Sequence, residues 1–277
     1  PPNGPNAKRS YGGPGDSHSH PAAVFALARG WPIVHLDVSP GVVKVPVIGV
    51  ELQRLLFLSS PPYAWPYARF DVAGTGNIPR TGPAILVGNH RSYCDVPAMI
   101  EMMRPTGRTG RMLAKKELFD VPVVGALAAA MGGIPVDRVA GGTDSFESAA
   151  QALEGGEMVC LLPQGTIPRG EKFYDPVLRG KSGAARLAAM TGAPVIPFGI
   201  WGTEHVWPRS SPVPRMWGVT NPPKITVRVG EPVELKYRSA TADTKRIMTA
   251  ISECLPAEAR VARVPTAEEI RLATPGG

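Results

Sequence analysis

Short apolar runs alternate with alanine-rich amphipathic stretches from about residue 70 onward. Six runs predict strands, at residues 84–88, 111–114, 134–136, 158–162, 194–199 and 224–229. The stretches that separate them predict helices at residues 121–131, 145–153, 182–191 and 241–255, two of which are followed by glycine. Strands that alternate with helices predict an α/β fold with a mixed, largely parallel sheet covered by helices.

The first part of the chain follows a different pattern. Residues 1–21 are rich in glycine, proline and serine and poor in apolar side chains, which predicts a disordered leader or linker. Residues 22–68 mix apolar runs with prolines, and in residues 52–58 Arg54 lies among leucines. This composition suits a helix in a membrane interface, and it equally suits a helix packed on the core.

Composition narrows the classes of protein. With 277 residues and 43% hydrophobic content, the chain can bury one sizeable core, so one main domain is expected. A formal charge of +7 favours acidic partners: phosphorylated substrates, anionic lipid surfaces or nucleic acid. No apolar run reaches the length of a membrane-spanning helix, so we expect neither a spanning helix nor a secretory signal.

The cysteines carry little chemistry in this sequence. Cys94, Cys160 and Cys254 form no CxxC pair, which suits a reducing compartment. His90 and Cys94 have a spacing that a metal could use, but no further cluster of histidine or cysteine completes a site. We therefore expect no metal.

The strongest candidate for chemistry follows the predicted strand at 84–88. Asn89 and His90 come directly after it, and Asp95 precedes an apolar helical stretch. On one straight helix, His90 and Asp95 would lie about 140° apart, but they can meet if His90 is still in the turn. The carboxylate would then orient the imidazole as a general base. The alternative is a loop histidine hydrogen-bonded to a helix-capping aspartate.

Two more polar stretches follow predicted strands. Arg138 comes after residues 134–136 and could hold a phosphate, or it could form a surface ion pair with Asp137 or Asp144. Residues 162–170 contain Gln164 and Gly165, whose backbone N–H groups could receive an anion, although the stretch is also an ordinary Gly/Pro turn. The sequence contains no GxSxG elbow and no P-loop.

Taken in order, these stretches resemble the glycerolipid acyltransferase family, which includes lysophosphatidic acid acyltransferases. The first family motif, Asn-His followed after four residues by Asp, is matched by Asn89, His90 and Asp95. The Gly-rich second motif, which ends in Asp-Arg, is similar to residues 132–138, and the apolar fourth motif resembles residues 195–197. The third, Phe-Pro-Glu-Gly-Thr-Arg-Ser in the family, is similar to residues 162–168.

Two positions depart from the family pattern. Gln164 stands where the family usually has Glu, and Ile167 stands where it usually has Arg, with Arg169 as the nearest cation. An amide removes a negative charge and adds a hydrogen-bond donor, which makes the predicted pocket more attractive to an anion. Arg169 could substitute for the missing arginine.

The resemblance implies an acyltransferase domain over residues 22–277. The enzyme would transfer a fatty acyl group from a thioester donor, acyl-CoA or acyl carrier protein, to the hydroxyl of a lysophospholipid acceptor, lysophosphatidic acid. His90 would act as the base and Asp95 would orient it. The substrate-binding residues would be Asn89, Arg138, Gln164, Gly165, Thr166, Arg169 and Lys181. No cofactor beyond the thioester donor is implied, and the protein would lie peripherally on the cytoplasmic face of an anionic membrane.

Three alternatives remain open at this point. The acceptor could instead be glycerol 3-phosphate or a glycosylated lipid. The Gln164 departure also allows a catalytically silent, membrane-associated relative. A nucleic-acid-binding module is disfavoured, because the cations are scattered and no recognised binding motif is present.

Overall fold

The computed structural model describes residues 66–121, 125, 128–129, 132–137, 143–215 and 217–276. The predicted leader at 1–21 lies outside the described residues, as do all but the last three residues of the predicted membrane-interface segment at 22–68. Much of the helix predicted at 121–131 also lies outside them, and so does Arg138.

The described strands form one seven-stranded sheet in the order β1-β7-β6-β2-β5-β3-β4. Their bounds are β1 Arg69–Ala73, β2 Ala84–Gly88, β3 Gly110–Lys115, β4 Ile134–Val136, β5 Met158–Leu161, β6 Val195–Trp201 and β7 Lys224–Val229. Every neighbouring pair is parallel except β6 and β7, which are antiparallel. The predicted mixed, largely parallel sheet is confirmed.

Helices cover both faces of this sheet. In the described part of the chain they are α1 Asp95–Met103, α2 Lys116–Phe119, α3 Thr143–Glu154, α4 Gly183–Thr191, α5 Thr203–Val206, α6 Ala240–Glu253 and α7 Ala267–Leu272. Two short 3₁₀ helices that bear on the site are Gly170–Tyr174 and Ala257–Arg260. None of these helices is both long and apolar enough to cross a bilayer.

The alternation of side chains along β2 explains the two-sided core. Leu86 packs with α1 on one face of the sheet, whereas Ile85 and Val87 pack with α3, α4 and α6 on the other. Because both faces are buried, the strand is apolar throughout. Its last residue must be glycine, since a Cβ atom on Gly88 would lie 2.1 Å from the Phe198 ring.

Candidate functional site

A cavity of about 740 Å³ opens where β2, β5 and β6 end, and we call it the His90 cavity. The three strands run parallel side by side, so their carboxyl ends meet at one edge of the sheet, the usual position of binding sites in such folds. His90 and Arg91 reach the cavity from β2, Gln164 to Arg169 from β5, and Trp201 from β6. The segment after α6 adds Glu258 and Arg263 to the wall.

His90 and Asp95 are in direct contact at the edge of this cavity. His90 lies in the turn after β2, and Asp95 is the first residue of α1. Their side chains meet with Nδ1 of the imidazole 2.7 Å from Oδ2 of the carboxylate. The arrangement predicted from the spacing, with the histidine still in the turn, is therefore the one that the structure shows.

The carboxylate of Asp95 is buried and held from both of its oxygens. Its Oδ2 accepts the backbone N–H groups of Arg91 at 2.8 Å and Ser92 at 3.1 Å. Its Oδ1 accepts the hydroxyl of Thr203 at 2.6 Å. Buried carboxylates are stable as anions when donors satisfy them, and the amino end of α1 adds a favourable field. Asp95 is thus fixed in position before any substrate binds.

This geometry determines which nitrogen of His90 can act as a base. The Asp95 carboxylate can only accept a hydrogen bond, so Nδ1 of the neutral imidazole carries the proton. Nε2 then has a free lone pair, and the side chain retains 22% of its exposure at the cavity. A base of this kind can remove a proton from a hydroxyl, and the imidazolium that results lies against Asp95.

Gln164 supports the same turn from β5. Its Oε1 accepts the backbone N–H of His90 at 2.6 Å. A backbone N–H can only donate, so this contact fixes which end of the amide faces the turn. The amide therefore takes the contact that one oxygen of a carboxylate could also make. The departure from the family pattern at this position leaves the His90 turn supported.

Asn89 is committed to the sheet. Its Nδ2 donates to the carbonyl oxygen of Ile200 at 2.8 Å, and its Oδ1 accepts the Ile200 N–H at 2.7 Å. The residue is almost completely buried, so the amide fastens the start of the turn to β6. The substrate contact predicted for Asn89 stays a prediction.

Arg91 forms a buried ion pair beside His90. Its Nε and Nη2 donate to Oε1 of Glu204 at 2.9 and 2.6 Å. The guanidinium carbon lies 3.9 Å from the centroid of the Trp201 ring and 4.2 Å from that of the Phe173 ring. Burial opposes ionisation of Glu204, but attraction and hydrogen bonds from Arg91 outweigh it and hold the pKa of the carboxyl below its usual value.

The cationic residues predicted to bind substrate are only partly gathered at the cavity. Arg169 lies in its wall, joined by Lys172 and Arg179, and all three are exposed. Lys181 extends over the turn instead, with its Nζ 3.7 Å from where a Cβ atom of Gly165 would be. Gly165 has a φ of +70°, which favours glycine in this tight turn.

Of the other predicted residues, Thr166 lines the cavity and Arg138 lies outside the described residues.

No group of three or more His, Cys, Asp or Glu side chains that could hold a metal occurs among the residues with described positions. Burial, together with the nearby Asp95, raises the pKa of the Cys94 thiol to about 12, so this cysteine beside the dyad stays neutral.

A second large cavity, of about 950 Å³, begins at Tyr93 in the same turn, and we call it the apolar cavity. Side chains of α1 and β3 form much of its wall, among them Val96, Ile100 and Met112. Trp207 and Arg209 line it from the loop after α5. A cavity with this lining suits a hydrocarbon chain.

Comparison with known proteins places this site in a family. Residues 69–201, which carry the turn, the dyad and the loop after β5, match the family model described as Acyltransferase. The match covers a little under half of the chain. The resemblance noted from the motifs is thereby confirmed.

Two relatives illustrate what the chain is similar to. The chain is 27% identical over 172 residues to a chloroplastic 1-acyl-sn-glycerol-3-phosphate acyltransferase, BAT2, of Brassica napus, covering 61% of this chain and 46% of the relative. It is 32% identical over 149 residues to an uncharacterized protein of Mycobacterium tuberculosis, covering 50% of this chain and 39% of that protein. The chain thus spans less than half the length of these relatives.

A solved structure supports the fold. The crystal structure of the 1-acyl-sn-glycerophosphate acyltransferase PlsC from Thermotoga maritima matches with a TM-score of 0.56 at 24% identity. The match covers 74% of this chain and 78% of that one. The likeness extends beyond the residues that the family model covers.

Sequence reasoning missed several residues that shape the site. Thr203 and Glu204 follow β6, Phe173 follows β5, and Trp201 ends β6. A usable signal existed, because polar and aromatic residues directly after an apolar strand of a parallel sheet reach the same edge as His90. Their pairing with residues more than 100 positions away could not be inferred from one sequence.

Proposed function

We propose that this protein transfers a fatty acyl group from a thioester, acyl-CoA or acyl carrier protein, to the free hydroxyl of lysophosphatidic acid, giving phosphatidic acid. The observation that supports this most is the His90–Asp95 contact at a cavity lined by exposed cations, with Tyr93 of the same turn lining a separate apolar cavity. A phosphorylated, acylated acceptor needs all three features.

The chemistry requires one proton relay and no covalent enzyme intermediate. Nε2 of His90 removes the proton from the acceptor hydroxyl as its oxygen forms a bond to the thioester carbonyl carbon. When the tetrahedral intermediate collapses, the C–S bond breaks and the imidazolium returns the proton to the leaving thiolate. Asp95 stabilises the imidazolium through the 2.7 Å contact to Nδ1.

The polar end of the acceptor belongs on the cationic side of the His90 cavity. Arg169 is the best placed of the predicted cations, with Lys172 and Arg179 in the same wall. Arg138 and Lys181 remain proposals for the same task, as do backbone N–H groups near Gly165. Guanidinium groups suit phosphate because they can donate two parallel hydrogen bonds.

The apolar part of a substrate has a separate place. Tyr93 belongs to the same turn as His90 and lines the apolar cavity, so an acyl chain could lie there with its carbonyl toward the dyad. Since such chains come from a bilayer, we also propose that the protein binds an anionic membrane surface peripherally, on its cytoplasmic face.

Steady-state acyl transfer on the full chain tests the proposal. The donors are acyl-CoA and acyl carrier protein, and the acceptors are lysophosphatidic acid, glycerol 3-phosphate and a glycosylated lipid, with products identified by mass spectrometry. We expect lysophosphatidic acid to be the preferred acceptor, and preference for another would reassign the substrate. Absence of turnover with every pair would favour the catalytically silent alternative.

Variants then test the dyad. His90→Ala should abolish transfer while the melting temperature changes little, because His90 is a turn residue outside the core clusters. Asp95→Asn should lower kcat at least tenfold, about 1.4 kcal/mol of barrier, because the imidazolium loses its carboxylate. A folded His90→Ala protein with full activity would exclude this mechanism.

A further inference from the structure

We propose that a small cavity beside the His90 cavity binds a phosphate monoester. This cavity, of about 210 Å³, is lined by Arg91, Arg209, Arg215 and Arg263, and we call it the arginine pocket. The proposal that this phosphate is part of a reactant rests on the proposed function. Binding of phosphate itself does not depend on that function.

The arginine pocket has an excess of positive charge. Four arginines line it, against two carboxylates, Glu204 and Glu269. Each carboxylate already has an arginine partner. Glu204 is paired with Arg91, and Glu269 accepts hydrogen bonds from Nη1 and Nη2 of Arg263 at 2.8 and 2.6 Å. Arg209 and Arg215 therefore form no ion pair among the described residues. Arg215 acts only at longer range on Glu268, whose pKa is lowered by its partner Arg271 and, in addition, by Arg215. Charges grouped in a partly enclosed pocket attract an anion.

Arg209 supplies the second, independent observation. Its Nε is buried and has no hydrogen-bond partner in the described part of the chain. Its Nη1 donates to the hydroxyl of Tyr93, and the guanidinium carbon lies 5.2 Å from the centroid of that ring. A buried donor left without an acceptor is destabilising. Arg209 therefore has donors that no described group satisfies, and an anion in the pocket can bind those of its nitrogens that reach the pocket surface.

Arg215 is held at the pocket by its backbone. Its N–H donates to the carbonyl oxygen of Val206 at 2.7 Å, which ties the loop that carries it to the end of α5. No ion pair of its side chain is found within the described residues. Arg215 and Arg209 thus lie on the same loop after α5, and neither guanidinium forms an ion pair within the described residues.

The position of the arginine pocket connects it with the reaction. It shares five residues with the His90 cavity, which form a common wall: Arg91, Phe173, Tyr174, Trp201 and Arg263. It shares Arg209 with the apolar cavity. A ligand here lies next to both the dyad and the proposed acyl-chain site.

The chemistry of the pocket selects the class of ligand. Guanidinium groups bind phosphate through paired hydrogen bonds, and the small volume suits a single phosphate group rather than a nucleotide. In the proposed reaction two reactants carry a phosphate monoester: the acceptor, and coenzyme A at its 3′ position. The cations of the His90 cavity can bind one of these two phosphates, and the arginine pocket can bind the other.

Isothermal titration calorimetry with inorganic phosphate at low ionic strength measures phosphate binding directly. The titration uses the full chain carrying Arg169→Met and Arg179→Met, so that the His90 cavity contributes little. Adding Arg209→Met or Arg215→Met should weaken phosphate binding about tenfold or more. Arg238→Met, at an exposed arginine outside the pocket, is the matched control and should leave it unchanged.

A further variant separates phosphate binding by Arg209 from the contact of Arg209 with Tyr93. Tyr93→Phe removes the hydroxyl that Arg209 contacts but keeps the arginine, so phosphate affinity should stay within about twofold of the parent chain. Phosphate affinity that is unchanged in both Arg209→Met and Arg215→Met, with melting temperatures showing folded protein, would overturn the proposal.

Kinetics identify the source of the phosphate. With Arg169 and Arg179 restored, Arg209→Met should raise the KM of one reactant about tenfold and change kcat less. The effect of Arg209→Met on KM is then compared between lysophosphatidic acid and monoacylglycerol, and between acyl-CoA and its 3′-dephospho form. The substitution should have no effect on the substrate that lacks the phosphate bound in the pocket. A KM that changes for neither reactant overturns the assignment to a reactant. If no acceptor is acylated at all, the proposed function fails, and the phosphate titration still decides the pocket.

Discussion

Individual hydrogen bonds explain why the dyad is preorganised. Asp95 has no exposure to solvent, and its Oδ1 depends on one side chain, the hydroxyl of Thr203 at 2.6 Å. A hydrogen bond to a buried charge contributes more than one between neutral groups. Thr203 is the first residue of α5, which follows β6, so this contact joins the start of α1 to the element that follows the neighbouring strand.

Thr203→Val should therefore lower both stability and activity. We expect the free energy of unfolding to fall by about 1.5–3 kcal/mol, and kcat by about tenfold, because the carboxylate loses a donor and its fixed orientation. Thr203→Ser is the matched control, since it keeps the hydroxyl and loses only a methyl group. Denaturant unfolding and acyl-transfer kinetics measure the two effects. A valine variant that behaves like the serine variant would show that the hydroxyl is unimportant.

The Arg91–Glu204 pair predicts a pH effect on stability. The pKa of Glu204 is lower in the folded protein than its usual 4.5, so its contribution to stability is complete above that value. It is lost as the pH falls below 4.5 toward the folded-state pKa. Glu204→Gln should remove this part of the acid dependence and, at pH 7, cost about 3–5 kcal/mol, because Arg91 is left unpaired in a buried site.

A double variant separates this pair from general packing. Arg91→Met with Glu204→Gln removes both charges, so it should recover much of the stability lost in Glu204→Gln alone. Urea unfolding between pH 3 and pH 7 provides the measurement. Equal losses in the single and double variants would show that the ion pair does not act as a unit.

At the scale of elements, the predicted strands agree closely with the structure where the pattern is strong. The strands at 84–88, 134–136 and 224–229 have the predicted bounds. β1 was missed because its sequence, RFDVA, places charged residues in a partly exposed edge strand. α7 was missed as well, although Thr266 and Glu269 form a capping box that the sequence contains.

The C-terminal helix explains one departure from the family pattern. α7 is joined to the loop after β5, because the Tyr174 hydroxyl donates to the carbonyl of Glu269 at 3.1 Å, and the Gly170 N–H donates to that of Ala273 at 3.2 Å. Ile167 packs beneath this helix with Phe173 and Ala273. The position where the family usually has arginine is therefore part of a small apolar cluster in this chain.

Ile167→Arg, which restores the usual residue, should consequently be harmful. Ile167 retains 3% of its exposure and packs in this cluster, so an arginine there would break the apolar packing even if its guanidinium reached the His90 cavity, at a cost of about 2 kcal/mol. Ile167→Val is the control and should cost about 1 kcal/mol. Thermal unfolding and limited proteolysis of the C-terminal segment report the change. An arginine variant as stable as the valine variant would mean that the cluster can open without loss.

At the scale of the whole molecule, charge and exposed apolar side chains suggest how the site meets its substrates. The chain carries a formal charge of +7, which favours anionic surfaces. Val96, Leu118 and Val121 are exposed and line the apolar cavity. We expect a lipid chain to enter from a membrane surface through this apolar opening. The sequence could not place this opening, since its walls come from separate parts of the chain.

The last prediction concerns binding of the full chain to vesicles. Anionic vesicles should carry the protein in flotation at low salt, zwitterionic vesicles should carry less, and high salt should weaken the electrostatic part. Leu118→Ser should reduce the binding that remains at high salt, because that part depends on apolar contact with the lipid. Val264→Ser is the control, as this exposed valine does not line the apolar cavity. A protein that never floats would contradict membrane association, and equal effects of the two serine variants would place the contact elsewhere.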